Sequence, residues 1–388
     1  MAKHVIILGA GASATSGYLQ NKELGVILSQ RGEFDRYMND KGTDQLLREQ
    51  LLEEFSRVDR FLHAFREGHF ETVDEFSFQS RNHLKPVVQY LKWLTSWIFV
   101  LHDPQQTHGP DYQCFAQKLF SKTLPQLRED IAVLTYNYDA YFEFVLLTML
   151  RARWSAAGKD PSQIPTSSTS GFGDLDAKGL LAERGFCYLK LHGTGVLPLF
   201  VPPNLLHTEL LTFCEVFEER GRLARLPHPV RVGCPRTPPI FFPWEVITEA
   251  GEFVTQGEFR HVDPSTDNRR YHPLFKAIWR RARREVAEAD KLSFVGFSAH
   301  EFMEPGLRFL LKSRKKAAPL EVVTANPESV PKGHLGHVPP AGGHVDRLTR
   351  RLQAACPGLR FAGIPSGKRG LGEIVCYPNF EDFIRVEM

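Results

Sequence analysis

The stretch His4-Val5-Ile6-Ile7-Leu8-Gly9-Ala10-Gly11-Ala12-Ser13, HVIILGAGAS, decides how this chain is read. Four apolar residues in a row, Val5 to Leu8, fit a strand buried on both faces. Gly-Ala-Gly then lets the backbone turn tightly and approach another group closely. A strand that ends in such a turn often cradles a phosphate, but unrelated proteins share the device, so the rest of the chain must say what is held.

Further strands of the same buried type follow at Ile131–Tyr136 (IAVLTY), Cys187–His192 (CYLKLH), Leu292–Ser298 (LSFVGFS) and Leu320–Ala325 (LEVVTA), with a short one near Leu359–Phe361. Helical patterns lie between them. From about Thr43 to Leu101 apolar residues recur near a 3.6 period, as at Leu47, Leu51, Leu52, Phe55, Val58, Leu62 and Phe65. Other helices are expected at about Asp139–Leu150, over HPLFKAIWRRARREVAEAD, and at about Glu304–Leu311 and Val345–Leu352. Strands alternating with helices predict an α/β fold, a Rossmann-like parallel sheet with helices on both faces, plus a helical insertion. The expected plan is a single domain over 1–388. Its core is about 1–35, 110–200 and 270–388, with a helical insertion at about 36–109 and an irregular proline-rich insertion at about 200–270.

Composition narrows the classes. The chain has 388 residues, 42% hydrophobic and 24% charged, which fits an ordinary globular protein. A net charge of +3 does not point to nucleic acid, and RRARR (Arg280–Arg284) reads as the solvated face of a helix. The run after His4 is too short for a secretory signal. VVQYLKWLTSWIFVL (Val87–Leu101) is too short to span a bilayer and is interrupted by Gln89 and Lys92, so a buried helix and a cytoplasmic protein are expected. Trp93, Trp97 and Phe99 read as its core positions. The six cysteines form no C-x-x-C pair, so no zinc ribbon is expected and they read as reduced core residues. His334, His337 and His344 lack a fixed scaffold and a partner set, and no metal site is expected.

The strand ends carry the chemistry. They read Gly9-Ala10-Gly11-Ala12-Ser13, Thr135-Tyr136-Asn137-Tyr138-Asp139, His192-Gly193-Thr194-Gly195, Gly296-Phe297-Ser298 and Asn326-Pro327. In open parallel sheets ligands bind at these ends. A hydride-transfer enzyme would place an acid after a second strand about 20 residues past the glycine turn. Glu33 and Asp35 fall near that distance, but no convincing strand precedes them.

GAGAS…SGY, TYNYD, KLHG, GFS and VVTANP, in this order, resemble the sirtuin (silent information regulator) family, most closely the sirtuin-like NAD-consuming domains of bacterial anti-phage defence. The resemblance spans Gly9 to Asn326. It implies that Gly9, Ala10, Gly11 and Ser13 hold the NAD+ pyrophosphate, and that Asn137 and Asp139 lie by the nicotinamide ribose. It further implies that His192 is the catalytic base, that Gly296 and Ser298 lie near the phosphates or ribose, and that Asn326 lies near the adenosine ribose. The chain departs from the deacylase branch, which continues SGIPDFR after the glycine loop; here Ser16-Gly17-Tyr18-Leu19-Gln20-Asn21-Lys22 stands there. Together with the missing zinc ribbon, this favours water as acceptor.

Each residue also has a plainer reading. Asp139 can cap a helix, Asn137 can be a turn residue, His192 a satisfied structural histidine, and Ser298 and Asn326 caps. The expected function is hydrolysis of NAD+ to nicotinamide and ADP-ribose, with NAD+ as substrate, in anti-phage NAD+ depletion. The alternatives are NAD-dependent ADP-ribosyl transfer or protein deacylation, and a non-catalytic nucleotide sensor or scaffold. A homo-oligomer and a separate regulatory partner, such as an ATPase or a phage-derived trigger, are expected; membrane and nucleic acid are not.

Overall fold

The computed structural model describes residues 3–14, 19, 21–43, 45–67, 72–80, 91–101 except 93, 96 and 100, 110–121, 127–139, 141–160, 186–193, 240, 242–246, 272–297, 300, 303–312, 314, 320–325, 344–362, 374–377 and 379–388. Ser298, Asn326, His334, His337 and most of the proline-rich span lie outside them.

Among the described residues, seven parallel strands form one sheet: β1 (His4–Leu8), β2 (Ile131–Thr135), β3 (Cys187–Lys190), β4 (Lys291–Val295), β5 (Leu320–Ala325), β6 (Phe361–Ala362) and β7 (Val375–Tyr377). Their order is β3-β2-β1-β4-β5-β6, with β7 also on β5. β6 pairs with the first residues of β5 and β7 with the last. The predicted α/β fold, a Rossmann-like parallel sheet with helices on both faces, is what the chain adopts. Sequence patterning missed β7, whose three residues are too few to show a period.

Helices cover both faces because the strands feed two cores. Ile6, Leu8, Ile131, Val133, Val323 and Ala325 face one core; Val5, Ile7, Ala132, Leu134, Leu292 and Phe294 face the other. That alternation within unbroken apolar runs is the mark of a sheet buried on both sides. The first core receives α1 (Ala10–Ala14), α2 (Asn21–Ser29), α3 (Arg31–Asp40), α4 (Gln45–Glu67), α5 (Val73–Ser80), α6 (Pro110–Lys118) and α7 (Tyr141–Ala156). Helical residues in 91–101 add buried Leu91, Leu94, Trp97, Ile98 and Phe99, as expected of that apolar run. The second core receives α9 (His272–Glu288), α10 (Glu304–Leu311) and α11 (His344–Ala355). The short α8 (Pro243–Val246) lies in the proline-rich span. The last helix, α12 (Phe380–Glu387), packs on the first core and is capped by Asn379, which accepts from Asp382 N at 2.8 Å.

Between β1 and β2 the described helices begin at Ala10 and end at Lys118. Glu33 and Asp35 sit on α3, and the element described just before it is helix α2. The cysteine expectation holds for buried Cys187 and Cys376, whereas Cys114 is exposed on α6. Among the described residues, no helix is long and apolar enough to cross a membrane.

The sheet register fixes the site. Leu8 lies beside Thr135 on one side and Val295 on the other; Thr135 lies beside Lys190, and Val295 beside Ala325. Five strands therefore end in line. The chain adds strands on one side of β1 and then returns to add them on the other, so the order reverses between β1 and β4.

At this reversal the backbones nearly touch. Gly9 N donates to Val295 O at 2.9 Å and Gly11 N to Gly296 O at 3.0 Å. A methyl on Gly9 would meet Gly296 O at 2.5 Å, and one on Gly11 would meet Gly296 Cα at 2.9 Å. Gly296 itself has φ +60, and its methyl would lie 2.0 Å from Ala12 N. Backbone neighbours on both sides cannot yield as a flexible side chain would. Gly296→Ala is expected to destabilise the fold by about 3 kcal/mol or more, from strain and overlap combined. Gly358→Ala, with nothing within 4 Å, is the control and should change little. Chemical denaturation compares them.

Candidate active site

Ser13, buried on α1, is the junction of the site. Its hydroxyl donates to Asp139 Oδ2 at 2.9 Å. With that proton committed, Ser13 can only accept from its other partners, so Tyr112 OH donates to it at 2.9 Å and Asn137 Nδ2 at 3.0 Å. The arrangement fixes the Asn137 amide: its NH2 must face Ser13, and Oδ1 points away. The Asn137 backbone N–H donates to Thr135 Oγ1 at 3.0 Å. The turn after β2 is thus tied to the glycine turn after β1.

Asp139 uses both oxygens. Oδ1 accepts from Tyr141 N at 3.1 Å, at the start of α7. The capping reading of Asp139 therefore describes this contact, while its second oxygen adds a link to α1. Lys190 Nζ donates to the Asp139 carbonyl and to Glu143 Oε1, the latter at 2.6 Å. Lys190 and Glu143 are each 1% exposed. Burial pushes both Asp139 and Glu143 up from the ordinary carboxylate range, and Lys190 pulls them back.

His192 follows β3 in a tight turn completed by Gly193 at φ +80. Trp279 Nε1 on α9 donates to Leu191 O at 2.9 Å and pins that turn. The His192 ring sits edge-on to Tyr136, with centroids 4.5 Å apart, and lies near Tyr138 and Trp279 at 6.2 Å each. Among the described residues no charged group titrates against it. Burial alone lowers its pKa to about 3, so the ring is neutral at physiological pH.

Three polar atoms here are buried without a partner among the described residues: Asn137 Oδ1, His192 Nε2 and Tyr136 OH. Native interiors rarely leave such atoms unpaired, and each costs about 1–3 kcal/mol. All three belong to residues that follow β2 and β3, on the edge where the strands end in line.

The structure brings Ser13, Asn137 and Asp139 into one network, and Tyr136 and Tyr138, which flank Asn137 in the chain, both lie near the His192 ring. Gly9, Gly11 and Gly296 meet at the strand reversal, with Ala10 opening α1 beside them. Ser298 and Asn326 lie outside the described residues. Tyr112, Glu143 and Lys190 escaped sequence reasoning. A lysine inside CYLKLH and a glutamate inside AYFEFVLL were the available signals, because a charge in an apolar run needs a buried partner.

No protein-family model matches the chain, and no curated protein matches it.

Lys190→Met strands the Glu143 charge in the core. It is expected to lower stability by about 3–5 kcal/mol at pH 7. Without Lys190, burial and the Asp139 charge are unopposed and raise Glu143 further than in the parent, so the folded variant favours a proton that the unfolded chain, titrating near 4.5, releases. Stability then rises as pH falls toward 4.5, so the deficit narrows on acidification. Denaturant titrations at about pH 7 and about pH 5 check this.

Proposed function

We propose that this chain is an NAD+ glycohydrolase, releasing nicotinamide and ADP-ribose. The observation that carries the reading is the trio of unpaired buried atoms, Asn137 Oδ1, His192 Nε2 and Tyr136 OH, at the carboxyl edge of a sheet ordered β3-β2-β1-β4-β5-β6. In that order a dinucleotide would cross the strand reversal, where the turns after β1 and β4 meet at Gly9, Gly11 and Gly296. Asn137 Oδ1 and His192 Nε2 are acceptors suited to hydroxyls, and a ribose offers two neighbouring ones. The order of GAGAS, TYNYD, KLHG, GFS and VVTANP, which resembles the sirtuin family, agrees with this substrate.

In the reaction the bond from ribose C1′ to the pyridinium nitrogen breaks, and its electron pair returns to the ring, which leaves as neutral nicotinamide. No acid is needed to assist it. The ribose becomes oxocarbenium-like and one water adds to C1′. A histidine as weakly basic as His192 does not deprotonate free water. Water attacking a cationic carbon becomes strongly acidic, and an aimed acceptor then suffices. Asn137 orients the ribose with an uncharged amide that Ser13 holds in one orientation. Asp139, with both oxygens engaged within the protein, positions the loop.

We assign the activity to anti-phage NAD+ depletion, on the strength of the resemblance, with restraint by self-assembly or by a separate regulator. The test is chromatography of NAD+ incubated with the purified chain, resolved by oligomeric state, and with Asn137→Ala and His192→Ala. Equimolar nicotinamide and ADP-ribose are expected, with each variant slower by about 100-fold or more. Binding of NAD+ without turnover, even in extract from infected cells, would favour a sensor instead. Full activity of a dilute monomer would remove the case for assembly control.

A further inference from the structure

A second buried charge pair lies beside this site, and the hydrolase mechanism makes no use of it. Lys92, in helical 91–101, is 0% exposed and Glu245, on α8, is 6% exposed; Lys92 Nζ and Glu245 Oε1 are 2.5 Å apart. The other carboxylate oxygen, Oε2, accepts from Phe242 N at 2.7 Å. Lys92 Nζ also stands 5.6 Å from the centre of the Phe242 ring. One carboxylate thus grips the helical insertion with one oxygen and the backbone of its own segment with the other.

That segment touches both halves of the candidate site. Ile240 forms an antiparallel bridge with Gly193, the residue after His192. Phe242 meets Tyr138 edge-on at 6.4 Å, and Tyr138 lies between Asn137 and Asp139 in the chain. Tyr138 is also held from the insertion, where its OH donates to buried Asp74 on α5 at 2.9 Å.

We propose that Lys92 and Glu245 are positioning residues of this site, which pin segment 240–246 so that it holds the His192 turn and the Asn137–Asp139 turn in register. Desolvating two full charges is costly, and a pair of matched apolar side chains would fill the same space at least as stably. What the charged pair adds is direction: a carboxylate held between one ammonium and one amide has a single placement, while an apolar contact can slide. The same arrangement lets the insertion govern the site, since movement of helical 91–101 would carry Glu245 and Ile240 with it. The proposal that the site is thereby tuned for NAD+ rests on the glycohydrolase reading; the placement of the turns does not.

The test uses the full chain and three variants: Lys92→Met, Glu245→Gln, and both together. Lys92→Met strands the Glu245 charge and Glu245→Gln takes the carboxylate away from buried Lys92, so each single change should lower the melting temperature. The double change removes both charges at similar volume, and the new amide oxygen can still accept from Phe242 N. Folding stability should therefore recover most of what either single change loses, less the cost of a buried amide NH2 whose partner is gone. Hydrogen exchange followed by mass spectrometry then reads the site directly. In the stable double variant, exchange over 136–139 and 190–193 should rise by about 10-fold or more, with exchange in β1 and β4 unchanged. NAD+ affinity should fall by about 10-fold or more. Unchanged exchange at those turns in a stable double variant would overturn the proposal and leave the pair as mere packing. If the parent binds no NAD+, the glycohydrolase reading fails, and the exchange result still decides whether the pin exists.

Discussion

The hydroxyl of Ser13 has one proton and two lone pairs, and all three are in use. Asp139 takes the proton; Tyr112 and Asn137 fill the lone pairs. That saturation ties the glycine turn after β1, the polar turn after β2 and helix α6 to a single atom. Within the protein, those three bonds set the orientation of the Asn137 amide.

The glycines make a related point. Gly9 and Gly11 fit the expectation of a tight turn, but their immediate neighbour is the backbone at Gly296, and two of the turn's amides are already bonded to Val295 and Gly296 carbonyls. The three glycines first allow two strand ends to approach at the reversal of strand order. Sequence spacing alone cannot separate a glycine required by a ligand from one required by another strand, because the partner, Gly296, lies far away in the chain.

Legibility followed the range of the signal. β1 to β5 were readable because each is an unbroken apolar run, and their ends were overestimated where a turn residue such as Tyr136, His192 or Gly296 continued the run. β7 and α6 were too short or too mixed in character to read. Asn137 and His192 were readable as polar residues closing buried strands. Tyr112, Glu143, Lys190, Lys92 and Glu245 were not, because their roles depend on partners brought together by folding: Ser13 with Tyr112, and Lys92 with Glu245, pairs remote in the chain. Their common trace in the sequence is a charge or a hydroxyl within an apolar stretch, which reports that a partner exists and not which one.

The glycohydrolase proposal rests on the buried unpaired atoms of Tyr136, Asn137 and His192, read as an edge of the sheet that a polar ligand completes. Calorimetric affinity for NAD+, set beside an analogue lacking both hydroxyls of the nicotinamide ribose, tests that most directly. A site built to satisfy those hydroxyls leaves its acceptors stranded when they are missing, so the analogue should bind more weakly by about 10-fold or more. Equal affinity for the two, or no affinity for NAD+, would contradict the account.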